Sequence, residues 1–376
     1  MKRKHAITTA VVVLILGTLI YFQFRTWQSF DWNQFVAQTR NVNPWMILIS
    51  VVLTYLVYVL RAVRWAIFLR PTKKTPVSSL IVPQFIGFTG LALLGRPGEF
   101  VRPYMIARRE NLSFPSQLAV WAVERVFDMG SVAVLLGVTL AIAGGKYERY
   151  PQVKEAGFAM LVIAAGVAVT VFLLWWKTDA IASLAQRLFS RMSKRVADVV
   201  CRKVTSFGEG LHTLQDFKSF LAVLGLSICI WLMIAQAYIH VMHAYPQETI
   251  TVQNGTQAGE TRVVRLHEMK LEDVLLVMGA SMAGSVVQLP GVGGGSQLAV
   301  ISLLSSDIFR SEPYNISREL AVSCGMMLWL VTFMSVVPFG LILAHFNRIS
   351  LRELGAESEQ AEIGRASCRE RVFSSV

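Results

Sequence analysis

Charged residues are scarce in this sequence, and neither its cysteines nor its short motifs indicate a metal site or a soluble enzyme. Only 16% of the 376 residues are Asp, Glu, Lys or Arg, whereas soluble domains carry about 25%. The four cysteines, which include no CxxC pair, are Cys201, Cys229, Cys324 and Cys368. No HExxH, P-loop, dinucleotide or Ser-His-Asp pattern is present. The sequence therefore predicts no metal ion, no cofactor and no catalytic residue.

Hydrophobic residues are abundant instead, at 54%, and they form long runs. Because a membrane-spanning helix needs about 20 apolar residues, the sequence predicts an all-α polytopic membrane protein. About six full spans are expected, at residues 6–24, 44–69, 118–144, 156–176, 220–244 and 320–345. The formal charge of +12 comes largely from Lys and Arg in short loops, which indicates orientation in a membrane rather than binding to nucleic acid. The pattern predicts the cell inner (plasma) membrane, with both termini in the cytoplasm.

Two further apolar runs are interrupted by glycine and proline, at residues 77–109 and 271–304. If the first run crossed the membrane fully, the basic segment at its end would lie outside, against the positive-inside rule. Two re-entrant hairpins that enter from opposite sides resolve this conflict. Broken segments in the two halves of a chain are typical of transporters with an inverted repeat, although the sequence similarity between these halves is too weak to establish one.

Residues 1–349 are interpreted as a single transmembrane domain. It includes an interfacial helix at 25–43, a cytoplasmic elbow at 177–218 and an outer loop at 245–270, where residues 249–252 and 261–266 are predicted to pair as a small β-hairpin. Residues 350–361 are predicted to form a cytoplasmic tail. Residues 362–376 include EIGRASCRERVF, which resembles the translation of a sequencing adapter, and they are interpreted as an artefact.

Ionisable residues inside or beside the apolar runs are the main candidates for a functional site. Their spacing predicts two facing sets, which are Arg96, Glu99 and Arg102, and Glu124, Arg125 and Asp128. Such groups are costly at membrane depth and usually functional. Three arginines and three carboxylates neutralise one another when the site is empty and release guanidinium groups to a phosphate when it is occupied. A structural ion-pair network is the alternative.

Other polar features have weaker signals. Arg61 and Arg64 lie near a predicted helix end, where snorkelling to the interface is slightly favoured. The glycine-rich stretch at 290–297 is predicted to bind an anion through backbone N–H groups, with a tight turn as an equal alternative, and its candidate residues are Gly291, Gly293, Gly294, Gly295 and Gln297. His240 and His243 are interpreted as structural, because no further metal ligands accompany them.

Four of these stretches also carry a family resemblance: RAVRW (61–65), GRPGEFVR (95–102), ERVFD (124–128) and LPGVGGG (289–295). The chain resembles the lysylphosphatidylglycerol synthase transmembrane-domain family, often called flippase-like. The resemblance implies a domain that moves a lipid between leaflets, and it assigns that role to the six charged candidates and the glycines. Gln297 departs from many relatives, which have an acid near this position. The chain also lacks their large soluble aminoacyl-transferase domain, so lysine transfer by this chain alone is not expected.

The sequence thus predicts a lipid translocase rather than an enzyme. Its substrate would be an anionic phospholipid or a polyprenyl-phosphate-linked lipid, moved through a polar cavity between the two hairpins. Two alternatives remain open, a membrane subunit of a lipid-headgroup-modifying enzyme and a structural partner in a cell-envelope complex. The expected partners are membrane lipids with an anionic headgroup and no nucleic acid, while a homo-oligomer and a separate lipid-modifying enzyme are left open.

Overall fold

The computed structural model describes residues 32–142, 217–252, 260–285, 294–311 and 313–347, with isolated positions between 155 and 186. The helices in these residues are α1 (Trp32–Thr39), α2 (Pro44–Leu69), α3 (Val77–Leu94), α4 (Val101–Glu110), α5 (Phe114–Ile142), α6 (Phe217–His243), α7 (Leu271–Gly284), α8 (Gly294–Leu304), α9 (Asp307–Arg310), α10 (Arg318–Trp329) and α11 (Val336–Phe346). The strands are β1 (Glu248–Val252) and β2 (Glu260–Val264). The elements predicted at 6–24 and 350–376 lie outside the described residues, and those at 156–176 and 177–218 lie almost entirely outside them.

Four of the described helices are long and apolar enough to cross a membrane, namely α2, α3, α6 and the continuous helix Arg318–Phe346. Three of them, α2, α6 and Arg318–Phe346, lie where the sequence predicts full spans. The 29-residue α5 coincides with the predicted span at 118–144. The sequence predicts α3 as one arm of a re-entrant hairpin, whereas its length and composition also allow a full crossing. The fold is that of a helical membrane protein.

The long helix α2 shows how the apolar sequence and the buried polar residues are combined. It begins with Pro44 at its first turn, and the side chain of Asn43 caps it by accepting a hydrogen bond from Trp45 N–H. Leucine and valine side chains near its start are exposed, as expected for a lipid-facing surface. Its opposite face packs on α6, where Ser50 Oγ donates to the carbonyl of Ala237 at 2.9 Å. Polar residues of α2 therefore point into the protein.

The region predicted as the first re-entrant hairpin consists of two packed helices, α3 and α4, joined by a 3₁₀ turn at Arg96–Phe100. The turn begins at Gly95, whose φ of 68° favours glycine. The sequence predicts breaks at Pro83, Gly87 and Gly90 as well, but this is wrong, because α3 continues through all three. These glycines allow close packing instead: a side chain at Gly87 or Gly90 would collide with α4.

The region predicted as the second re-entrant hairpin contains two short helices. Helices α7 and α8 pack against each other, and Gly284 lies against the backbone carbonyl of Gly295 so closely that a side chain would not fit. Residues 286–293 between the two helices, which include Gly291 and Gly293, lie outside the described residues. The glycines therefore permit backbone contact between the two arms of this hairpin.

The predicted β-hairpin in the outer loop is confirmed. Strands β1 and β2 pair antiparallel, with Ile250 opposite Arg262. The loop between α9 and α10 is attached to α7, because the Tyr314 hydroxyl donates a hydrogen bond to Asp273 Oδ2. Burial, followed by this hydrogen bond, raises the pKa of Tyr314 well above its usual range. This side of the molecule is thus held by a buried polar contact as well as by apolar packing.

The last long helix contains a feature that the sequence does not predict. Between α10 and α11 the helix widens into a π-helical segment at Leu330–Met334. Tyr55 donates a hydrogen bond to the carbonyl of Ser335, just after this segment, at 2.8 Å. Single π-helical turns are often found beside functional sites. Here the segment contributes Thr332 and Phe333 to the wall of a cavity between the helices.

Candidate functional site

Two carboxylates of α5 form the centre of a buried ion network. Glu124 and Asp128 are four residues apart, so both project from one face of the helix, and both are buried. Arg64 on α2 donates to both, with Nη2 2.6 Å from Glu124 Oε1 and Nη1 2.7 Å from Asp128 Oδ1. Arg61 Nη1 lies 3.2 Å from Asp128 Oδ2. Helices α2 and α5 are therefore joined by ion pairs inside the protein.

Two further arginines complete the network. Arg102 on α4 contacts Glu124 through both of its terminal nitrogens, and its Nη1 also donates to Gln84 Oε1 at 3.0 Å. Arg125 Nη2 lies 3.0 Å from Asp128 Oδ2. Each of the four carboxylate oxygens thus accepts at least one hydrogen bond. Side chains of the protein therefore provide hydrogen bonds to both carboxylates.

Helix α6 closes the network from the remaining side. Ser227 Oγ accepts a hydrogen bond from Arg64 Nη1 at 2.7 Å and passes its own hydrogen to the carbonyl of Val223. Trp231 Nε1 donates to Asp128 Oδ1 at 3.3 Å. The sequence reasoning missed both residues, because a serine and a tryptophan in an apolar run have no signal that separates them from ordinary membrane-helix composition.

The structure corrects the predicted membership of this cluster. The snorkelling interpretation of Arg61 and Arg64 is wrong, since both are buried and the Arg64 side chain is 0% exposed. Arg96 and Glu99 do not join Arg102 on one face. They form a separate pair at 2.6 Å on the 3₁₀ turn, where Arg96 is 47% exposed and also donates to the backbone carbonyl of Ser285. Arg96 therefore links the turn of the first hairpin to the end of α7.

The network has more positive than negative charge. Among the described residues, its four arginines, Arg61, Arg64, Arg102 and Arg125, face two carboxylates, which gives the cluster a formal charge of +2. The pair on the 3₁₀ turn adds no net charge. The Nε atoms of Arg61, Arg64 and Arg125 have no hydrogen-bond partner among the described residues. Guanidinium N–H groups remain after the acids are satisfied.

Aromatic rings hold two of these guanidinium groups in place. The Arg102 guanidinium carbon lies 4.5 Å from the centre of the Trp65 ring and 5.3 Å from that of Phe88, and the Arg61 guanidinium carbon lies 5.2 Å from Phe88. A cation over an aromatic face is stabilised by the ring quadrupole. The tryptophan belongs to the RAVRW motif, whereas Phe88 lies in a run of apolar residues that gives no hint of this role.

A cavity of about 250 Å³ lies beside the network and between the two hairpins. Its charged wall is formed by Arg61, Arg96, Glu99 and Arg125, with the Arg125 side chain 36% exposed. The opposite polar wall comes from the second hairpin and consists of Ser285, Ser296 and Gln297. Apolar and aromatic side chains form the rest of the lining. The structure therefore brings the two predicted hairpins together at one cavity.

The glycine-rich candidates are only partly described. Gly294 begins α8 with a φ of 53°, and Gly295 follows it in the first turn, against Gly284. Gln297, in the same turn, lines the cavity and contacts the sulfur of Met326. The N–H groups of a first helical turn have no partners within their own helix. An anion-binding role for this turn remains a proposal.

Outside the membrane-spanning segments, a second ion pair anchors the first hairpin. Lys73, in the loop after α2, lies 2.8 Å from Glu110 Oε2 and also donates to the Glu110 carbonyl at 2.9 Å. Burial by itself would raise the pKa of Glu110, but hydrogen bonds, first from Lys73, and nearby positive charges lower it. The end of α4 is thereby attached to the loop between α2 and α3.

The described part of the chain contains no group of side chains that could hold a metal ion. No group of three His, Cys, Asp or Glu side chains with suitable geometry is found among those residues. His240 Nδ1 lies 2.7 Å from the carbonyl of Gln236, and His243 Nε2 lies 2.8 Å from the carbonyl of Met269. Both histidines make structural contacts to the backbone.

Similarity to known proteins identifies the family of this chain. A family model described as the lysylphosphatidylglycerol synthase TM region matches residues 7–340. A protein of Haloferax volcanii named glycosyltransferase AglD is 32% identical over 120 residues, which cover 31% of this chain and only 19% of that protein. No solved structure matches the chain significantly. Because the family model covers most of the chain, this multi-pass membrane protein belongs to the family of lysylphosphatidylglycerol synthase TM regions.

Proposed function

We propose that this protein moves a lipid with an anionic headgroup between the two leaflets of the membrane. The observation that carries the proposal is the cavity between the hairpins, which is lined by three arginines next to a buried cluster of formal charge +2. Guanidinium groups bind phosphate through paired N–H donors. The acyl chains would stay in the surrounding lipid while the headgroup crosses through the cavity.

Release of the headgroup needs a competitor for the arginines, and the carboxylates supply it. Glu99 lies at the cavity wall and pairs with Arg96, while Asp128 pairs with Arg61 and Arg125 directly behind it. When a phosphate leaves, these acids restore part of the charge balance. A site made only of arginines would hold an anion too tightly for transport, because an unpaired buried charge is strongly unfavourable.

The lengths of three of the four hairpin helices support re-entrant hairpins, whereas the 18-residue α3 is about 27 Å long. With a rise of 1.5 Å per residue, the 10 residues of α4 are about 15 Å long. The 14 and 11 residues of α7 and α8 are about 21 Å and 17 Å long by the same measure. Each is shorter than the hydrocarbon core of about 30 Å. Non-helical backbone at this depth is tolerated when it lines a cavity.

Charge distribution supports an orientation. Basic residues follow α2 and end α4, at Arg70, Lys73, Lys74, Arg108 and Arg109. By the positive-inside rule, this side faces the cytoplasm of a cell whose inner (plasma) membrane contains the protein. Arg61 lies eight residues before the end of α2, so the cluster would be about 12 Å from that end. The headgroup site would then open more readily towards the cytoplasmic leaflet.

A transfer assay with the purified protein in vesicles tests the function. Vesicles would contain NBD-labelled phosphatidylglycerol in one set and NBD-labelled phosphatidic acid in another, and dithionite would report which leaflet holds the label. We expect transfer of at least one lipid by the wild type and its loss in Arg125→Gln. The control is Arg109→Gln, an exposed arginine in the last turn of α4. Transfer by Arg125→Gln at the wild-type rate would refute the proposed role of the cavity.

A second candidate function is favoured by one comparison. The Haloferax volcanii relative is named a glycosyltransferase, although the matched region is a small part of it. The present chain would then be a membrane subunit that presents a lipid headgroup to an enzyme on another chain. Lipid analysis of a deletion strain separates the two functions, since loss of a modified lipid species indicates the enzyme subunit and retention of a lipid on one leaflet indicates the translocase.

A further inference from the structure

Taking the proposed translocation as given, we infer that the transported headgroup is a phosphate with two negative charges. Its chemical class is a lipid phosphomonoester, in contrast to a phosphodiester such as phosphatidylglycerol, which carries a single negative charge. The inference is carried by the charge balance of the buried cluster, by the arginine N–H groups that face the cavity and by the size of the cavity.

The charge balance sets the charge of the preferred occupant. Four guanidinium groups meet two carboxylates in a buried environment, and the separate pair on the 3₁₀ turn is neutral. An occupant with two negative charges neutralises this excess of +2. A phosphodiester leaves one positive charge uncompensated in a region of low dielectric constant, where such a charge is strongly disfavoured. The cluster therefore discriminates between the two kinds of phosphate by charge.

The orientation of two arginines sets the number of oxygens that can be bound. Arg61 contacts the acids only through Nη1, and Arg125 only through Nη2. Both side chains line the cavity, and the Nε atom of each is buried without a partner among the described residues. Because a buried Nε does not reach the cavity, the donors available to an occupant are the terminal nitrogens that do not contact the acids, Arg61 Nη2 and Arg125 Nη1. A phosphomonoester has three unesterified oxygens to accept from them, whereas a phosphodiester has two.

The size of the cavity favours a small headgroup. Its volume is about 250 Å³, below the range of about 300–1,000 Å³ for pockets that hold drug-sized ligands. Apolar side chains such as Leu91, Ile234 and Met278 also line it. A bare phosphate at the end of an acyl or polyprenyl chain matches this combination better than a headgroup with an attached sugar or amino acid.

The titratable groups around the cavity allow the charge of the bound ligand to be tested by changing the pH. The ionisable side chains that line it are Tyr58, Arg61, Arg96, Glu99, Arg125 and Tyr238, with Arg64, Arg102, Glu124 and Asp128 behind them. No histidine occurs among the described lining residues, and histidine is the side chain that ordinarily changes charge between pH 5 and 8. A phosphomonoester gains its second charge near pH 6. A change in preference around that pH would therefore come from the ligand.

The experiment compares dodecyl phosphate with dodecyl methyl phosphate, which has the same chain but a single charge at any pH used. Binding to the full-length protein in phosphatidylcholine nanodiscs would be measured at pH 8 and pH 5. We expect dodecyl phosphate to bind at least about tenfold more tightly at pH 8, the difference that one strong charge-assisted hydrogen bond supplies. The preference should nearly disappear at pH 5. It should also disappear in Arg125→Gln and persist in Arg109→Gln.

Three outcomes would overturn this inference. Equal affinity for the two probes at pH 8 would show that the second charge is not recognised. Inorganic phosphate binding as tightly as dodecyl phosphate would identify a site for the free ion instead of a lipid. No binding of either probe would also contradict the inference. In each case the vesicle assay on the same preparation decides the proposed function separately, because transfer of phosphatidylglycerol would leave translocation standing.

Discussion

Replacing Asp128 with asparagine should destabilise this protein far more than replacing the neighbouring Arg125 with glutamine. Both changes neutralise one charge of the same cluster and keep a polar side chain. Asp128 is buried and lies within 3.2 Å of three guanidinium groups. Its loss raises the excess charge from +2 to +3, whereas loss of Arg125 lowers it to +1. The two variants therefore change the charge imbalance in opposite directions.

The magnitude follows from the burial of each group. Removing one partner of a buried ion pair costs about 3–5 kcal/mol, since the remaining charge is left without compensation. We expect a loss of that size in the free energy of unfolding for Asp128→Asn. Arg125 is 36% exposed, and its removal reduces the surplus charge, so Arg125→Gln should change the free energy of unfolding by less than about 1 kcal/mol. Arg125→Gln would then lose transport without losing stability.

Unfolding in mixed detergent micelles with increasing sodium dodecyl sulfate would measure these differences. Tryptophan fluorescence is a suitable signal, because Trp231 donates a hydrogen bond to Asp128 itself. Glu319→Gln, which changes an exposed carboxylate in the first turn of α10, is the control and should stay within about 1 kcal/mol of the wild type. If Asp128→Asn were as stable as Arg125→Gln, the assignment of an uncompensated positive charge to this cluster would be refuted.

Two further predictions concern the first hairpin. Gly98→Ala should lower the free energy of unfolding by about 1–3 kcal/mol in the same titration, because the added methyl group would collide with the backbone carbonyl of Gly90, and a fully stable variant would contradict this packing. Glu110→Gln should be less stable than the wild type at pH 7. Since the folded-state pKa of Glu110 is lowered from 4.5, its contribution is present above that pH and is lost as the pH falls through the lowered value. The difference between the two proteins should therefore shrink below pH 4.5 and would remain constant if Lys73 did not stabilise the carboxylate.

The prediction for Asp128→Asn depends on an ion network that the sequence only partly predicts. The spacing of Glu124 and Asp128 is enough to place both on one face of a helix, because helical geometry is local. Which arginines would meet that face is not a local property. Arg96, Glu99 and Arg102 are spaced three residues apart, which predicts one shared face, yet Arg96 and Glu99 pair with each other at the cavity wall.

The case of Arg61 and Arg64 shows the physical reason most clearly. An arginine five to eight residues from the end of an apolar helix is able either to extend to the interface or to turn inward. The choice depends on whether another helix offers carboxylates at the right depth and angle. Here α5 does so, with contacts of 2.6 Å and 2.7 Å to Arg64, and the energy of these pairs outweighs the alternative of hydration at the interface.

The sequence by itself determined the class of protein, the spans visible at α2, α6 and Arg318–Phe346, the β-hairpin and the family, because runs of apolar residues, turn residues and motifs act over short distances along the chain. Only the tertiary structure decided the partners of the arginines, the surplus charge of +2 and the cavity that joins the two hairpins. These depend on how distant helices pack. A glycine permits close packing of two helices without specifying which helix packs there. The net charge of a site follows only from all the charged groups that the fold brings together.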